Sequence, residues 1–205
     1  MHRLIAPALL TMALAAPAMA ETRSLTNFDS VNASDRLVVE VSMGQAFAID
    51  VDGPDANKVE TRIQNGVLHI RQTNRPWFGS PRAINATVHV TMPAVQGLAA
   101  SRGASLRAHA ITADDMSLAA AMGGELEISG ACRSLSAAAS MGVVVDADAF
   151  ECETADVAAS MGGEANVFAS ASFDGAASMG GTIEIAGGGH ASDTATSMGG
   201  TINYR

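Results

Sequence analysis

The chain has 205 residues, 48% of them hydrophobic and only 4% aromatic, with 12 Lys and Arg against 21 Asp and Glu for a net charge of −9. An acid excess of this size is repelled by nucleic acid and by anionic lipid, so neither is an expected partner. The unusual part of the composition is small residues and thioethers, with 20 Gly and 11 Met beside a single Trp and a single Tyr.

Residues 1–20 read as a signal peptide. His2 and Arg3 open it, Leu4 to Ala16 is an apolar run, and Ala18-Met19-Ala20 has the small-x-small form of a cleavage site. The run is too short to be a permanent membrane span, and no later stretch is long enough either. Cleavage near Ala20 removes Arg3, taking the charge from −9 to −10, and leaves residues 21–205 as one domain expected in the periplasm or secreted. Over the first half, Arg36 to Val41, Gln45 to Asp52, Val59 to Ile63, Val67 to Gln72 and Ile84 to Met92 alternate like strands. Asp52-Gly53-Pro54 and Asn65-Gly66 supply turns, and 74–82 reads as a loop. This half is expected to form irregular opening turns and to cover the first edge of the second half.

From about residue 95 the chain repeats. Met-Gly-Gly or a near copy recurs at Met122, Met141, Met161, Met179 and Met198, at intervals of 19, 20, 18 and 19, after a degenerate Ser101-Arg102-Gly103. Three places after the first Gly stand Leu106, Leu126, Val145, Ala165, Ile183 and Ile202. Five places after it stand Ala108, Ile128, Ala147, Val167, Ile185 and Tyr204. Polar residues lie between them, and this period-two alternation marks half-buried strand rather than Ala-rich helix, which Gly pairs would break. The pattern predicts an all-β parallel β-helix, with turns of about 19 residues stacked at roughly 4.8 Å.

Phe28-Asp29-Ser30-Val31, Gly66-Val67-Leu68-His69-Ile70, Val88-His89-Val90-Thr91-Met92-Pro93 and the copy from Leu118 to Ile128 together resemble the auto-transporter adhesin head family, also called the GIN domain. The resemblance covers residues 21–205 and implies a right-handed parallel β-helix exported by bacteria. It carries over no catalytic residue. The chain departs from the family pattern by placing Met where the first corner Gly stands.

Several rows are candidates for function. Cys132 and Cys152 occupy one column in adjacent turns, so their Cα atoms should fall in disulfide range. The Met row suits a soft metal such as Cu(I), but parity from Leu118 and Val157 points it inward, as core filler beside Ala120, Ala139, Ala159 and Ala177. His69, His89 and His109 would form a ladder if the first half kept the same pitch; ligand-free strand histidines are the expectation. Glu127, Asp146 and Glu184, with Glu125 and Glu164, are read as a solvated face rather than a cation site. Asp146, Asp148 and Glu151 make a weak case for a lyase site, because the repeats offer only Arg102, Arg107, Arg133 and Arg205 as bases. The preferred interaction face is the outward one bearing Ala119, Ala138, Ala158, Ala176 and Ala195 with Ser140, Ser160, Ser178 and Ser197. It either meets a partner or lies under a neighbouring loop. The last strand, Thr201 to Arg205, leaves an edge open to self-association.

These rows predict a non-enzymatic exported interaction scaffold, adhesin-head-like or envelope-associated, without cofactors. Its partner would be a protein or glycan at the cell envelope. A periplasmic metal-binding protein and a carbohydrate-active β-helix are the alternatives.

Overall fold

Stacked backbone coils hydrogen-bonded edge to edge make up the computed structural model, which describes residues 21–74 and 82–205. The signal-peptide reading of 1–20 and most of the 74–82 loop lie outside the described residues. The strands in chain order are β1 (Glu21–Arg23), β2 (Ser30–Ala33), β3 (Val38–Met43), β4 (Ala48–Asp52), β5 (Val59–Gln64), β6 (Val67–Gln72), β7 (Thr87–Met92) and β8 (Gly97–Ser101). They continue as β9 (Ser105–Ala121), β10 (Glu125–Ser140), β11 (Val144–Ser160), β12 (Glu164–Ser178), β13 (Thr182–Ala186), β14 (His190–Ser197) and β15 (Thr201–Tyr204). One 3₁₀ turn, Ala56–Lys58, precedes β5. Among the described residues no helix is long and apolar enough to cross a membrane.

The repeat half is a parallel β-solenoid, as its periodicity predicts. Ser105, Glu125, Val144, Glu164, Thr182 and Thr201 lie in one register, so consecutive turns advance by 20, 19, 20, 18 and 19 residues. β9 to β12 are 15 to 17 residues long because each runs along one face, through a bend, and onto the next face. The bend carries a register shift between Ile128 and Gly130. Gly130 has φ 136°, and a Cβ there would fall on the carbonyl oxygen of Ile111. No other residue fits that approach.

Inside, Leu106, Leu126, Val145, Ala165 and Ile183 are fully buried in one row, and Met116, Leu135, Ala155 and Phe173 form another across the bore. Phe173 is accommodated by Gly175 two residues on, whose missing Cβ leaves room against the ring. Phe150 fills the bend of its own turn. Bulk is thus traded between neighbouring columns to keep the narrow bore close-packed.

The first half departs from stacking in chain order. β2 and β3 form one turn lying between two others: β6 and β7 on one side, β8 and β9 on the other. The chain lays this turn first, then doubles back. β4 joins β7 antiparallel and β1 joins β4, while β5 joins β6 antiparallel. The expected covering of the first edge is therefore done by reversed strands rather than by irregular turns. At the opposite end, β14 pairs only with β12 and β15 only with β13, so that edge is unpaired among the described residues.

Candidate functional site

The Met corners correct a sequence expectation. Met122, Met141, Met161, Met179 and Met198 are 43–73% exposed, not core. Alternation does bury Leu118 and Ala120, but the strand ends at Ala121, and each Met has φ between 46° and 64°. That left-handed backbone swings the side chain outward. The following Gly123, Gly142, Gly162, Gly180 and Gly199 also have positive φ, so each corner is a two-residue reversal of the kind usually written Asn-Gly. The second Gly of a corner passes close to the turn before it. A Cβ on Gly124, Gly163, Gly181 or Gly200 would strike the carbonyl of Ala100, Ala139, Ala159 or Ala177 in the preceding turn.

Cys132 and Cys152, partners in the β10–β11 register, are joined by a disulfide with Cα atoms 4.5 Å apart. Both are buried, so the bond ties two turns from within. The histidines do not form a ladder. His69 on β6 and His89 on β7 belong to the same turn, and the two strands lie in different branches of the sheet. His89 instead sits between two carboxylates, Nδ1 3.1 Å from Glu40 and Nε2 3.3 Å from Asp52, and His109 Nδ1 lies 3.4 Å from the Ser129 hydroxyl. The acidic row is broken up by register: Arg107 pairs with Glu127 at 3.1 Å, Arg205 with Glu184 at 3.1 Å, and Asn166 stands between Asp146 and Glu184. Among the described residues no group of three or more His, Cys, Asp or Glu is placed to hold a metal.

The Ala/Ser columns lie on the second face of the solenoid. Ala119, Ala138, Ala158, Ala176 and Ala195 are directly stacked and exposed, while Ser140, Ser160 and Ser178 are half-buried beside the corner and Ser197 is exposed. No described loop covers them. Two residues towards the bend, Ser117 and Ser136 give way to Asp156, Asp174 and Asp193, so the stripe gains negative charge along its length.

The register carries the Ala column onward into the first half. Ala119 pairs with Ala99, Ala99 with Asn32, Asn32 with His69, and His69 with Arg62. The small side chains end at a polar pocket of about 220 Å³ lined by Arg62, His69, Asn32, Ser34, Arg71 and Arg102 among others. Arg71 gives Nε and Nη2 to Glu60 at 3.1 and 2.8 Å, which holds the Glu60 carboxyl below its usual range and raises the guanidinium. Arg102 reaches the buried Asp35 at 3.4 Å. Three guanidiniums on an otherwise acidic chain are thus gathered at one end of the stripe. Sequence reasoning missed this pocket because the register that builds it comes from the inverted turn.

Residues 27–189 match the family described as putative auto-transporter adhesin, head GIN domain. In three dimensions the chain is similar to a putative adhesin from Bacteroides fragilis, with TM-score 0.67, 15% identity, and 91% of this chain and 96% of that one covered. It is also similar to a putative lipid binding protein from Parabacteroides distasonis, with TM-score 0.53, 14% identity, and 91% and 96% covered. At these identities the likeness is one of fold. No curated protein sequence matches.

Proposed function

The chain belongs to the auto-transporter adhesin head family, the GIN domain, and from that membership we propose a non-enzymatic scaffold, exported by its signal peptide, that binds a glycan along the Ala/Ser stripe. The observation that carries this reading is the bare, stacked row from Ala99 to Ala195, ending at the Arg62–His69–Asn32 pocket. Ala and Ser have little rotamer entropy to lose on contact, so such a surface binds another flat surface at low ordering cost.

Area favours a glycan over a folded protein. Six strands at about 4.8 Å and three columns over about 13 Å give on the order of 300 Å², against about 800 Å² per partner in a stable protein complex. A single extended oligosaccharide fits the smaller figure, and repeated weak contacts on one polymer add by multivalency. The guanidiniums and amides of the pocket are suited to an acidic sugar at one end. The unpaired edge of β14 and β15 supports a second reading, self-association by added strands.

The experiment is calorimetric titration with an oligogalacturonate and with the neutral galactose oligomer of equal length. The acidic oligomer should bind more tightly. Arg62→Gln should remove that preference, and Ala138→Gln with Ala158→Gln, which adds bulk without charge, should weaken both ligands. Binding unchanged in the Ala138→Gln/Ala158→Gln protein would defeat the stripe reading.

A further inference from the structure

The outward Met row is a built feature that neither packing nor the glycan stripe accounts for. Its corners are locked into a column by the backbone. Gly123 N–H donates to Met141 C=O, Gly142 to Met161, Gly162 to Met179 and Gly180 to Met198, at 3.2–3.3 Å. All five Met side chains therefore leave from directly stacked positions, about 4.8 Å apart at Cα. An unbranched thioether of that length reaches its neighbours in the row. Arg102, with φ 53°, holds the equivalent corner of the preceding turn, and its ion pair with Asp35 closes the column there.

Met is a poor choice for the backbone it occupies. A left-handed residue that is neither Gly nor Asn costs roughly 1–2 kcal/mol, and the five Met carry that cost at surface positions where burial is only partial. A merely apolar ridge would be served as well by Leu, which differs in having no sulfur. The outward column three to four residues past each corner varies from turn to turn (Glu127, Asp146, Asn166 and Glu184 in one register), while the corner, like the Ala column, is constant, and its side chain is a thioether in all five. Soft, polarisable thioether sulfur prefers soft monovalent metal, and a chain of net charge −9 draws cations towards it.

We propose that Met122, Met141, Met161, Met179 and Met198 form a thioether ladder that binds Cu(I) or its close analogue Ag(I), each ion bridged by sulfurs from neighbouring turns. The ion is bound without change of oxidation state, and the hard oxygen and nitrogen donors elsewhere on the surface take no part.

The test is competition for Cu(I) against bicinchoninate, with Ag(I) titration as the redox-inert arm. The intact chain should withdraw Cu(I), with an X-ray absorption spectrum of sulfur-only neighbours. Replacement of all five Met by Leu keeps volume and an unbranched Cβ, and should abolish uptake with circular dichroism unchanged. Met161→Leu, which splits the row into two pairs, should weaken binding more than Met198→Leu, which trims one end. Mild peroxide treatment provides a measurement on the unmutated fold: each thioether takes one oxygen to become a sulfoxide, water is released, and metal uptake should vanish. Failure of the intact chain to withdraw either ion overturns the proposal, as does undiminished binding in the five-Leu protein or after oxidation. Neither result bears on the stripe, which is read by oligosaccharide titration.

Discussion

The two halves of the molecule use the same parallel ladder but build it in opposite ways. From β8 onward each turn is laid on the one before, because successive blocks present matching columns and the nearest partner is the block just made. In the first half the β2–β3 turn is laid first and later enclosed by β6–β7 on its outer side, with β4, β1 and β5 added antiparallel beyond. Reversed strands end a stack because they break the repeat that another turn would need, and they cover backbone groups that would otherwise recruit a second chain. The far end has no such cover among the described residues, and every residue of β14 is exposed. One end of this solenoid is covered by reversed strands, and at the other the outer edges of β14 and β15 are unpaired among the described residues.

A pair of glycine substitutions puts the difference between the halves to its severest test. Gly130→Val places a Cβ on the Ile111 carbonyl in the middle of the stack and should cost about 4 kcal/mol in urea unfolding. Gly53→Ala meets the Asn85 carbonyl in the opening half and should cost about 2 kcal/mol, because an outer strand can shift away. Equal losses would mean that the backbone around Gly53 yields no more than the stack around Gly130. Between these two in size is Cys132→Ser with Cys152→Ser. Removing a cross-link of sequence separation 20 should lower stability by about 3 kcal/mol in the chain-entropy model, read as a shifted urea midpoint under non-reducing conditions.

Two smaller effects probe one position in each half. Met161→Asn places a residue tolerant of left-handed backbone at a corner with φ 50° and should raise stability by about 0.5–1 kcal/mol in thermal unfolding. A loss instead would show that the thioether packs more than its exposure implies. Glu60→Gln removes the partner of Arg71 on the outer strands. Because Arg71 depresses the folded Glu60 carboxyl, its contribution is present above the unfolded carboxyl value and fades as pH falls through the lower folded value. The variant should therefore be slightly less stable than the parent at pH 7 and indistinguishable from it well below the carboxylate range. The pair is exposed, so this effect is the smallest.

Much of the repeat half is legible in the amino-acid order because its signals are local and periodic. Leu126 and Ile128 alternate with Glu125 and Glu127, and a fixed interval of 20 puts Cys132 over Cys152. The inward reading of the Met row fails because strand parity does not extend past the point where the strand ends. A residue followed by Gly at a tight reversal is the pattern of a corner with two left-handed residues, and that signal is present at all five Met. The histidine spacing misleads for a different reason. The 20 residues from His69 to His89 cross a single turn from one strand to the next, so an equal interval there does not mean equal height.

The class of fold, the pitch of the turns, the buried columns and the disulfide are all written in the linear order of residues, because each follows from which residue stands one period away. Three features are set only when the chain is folded: the order of the opening turns, the joining of Arg62, His69 and Asn32 to the end of the Ala column, and the outward direction of the Met row. The first two depend on pairings between strands distant in the chain, and the third on a backbone dihedral that no hydrophobic pattern records.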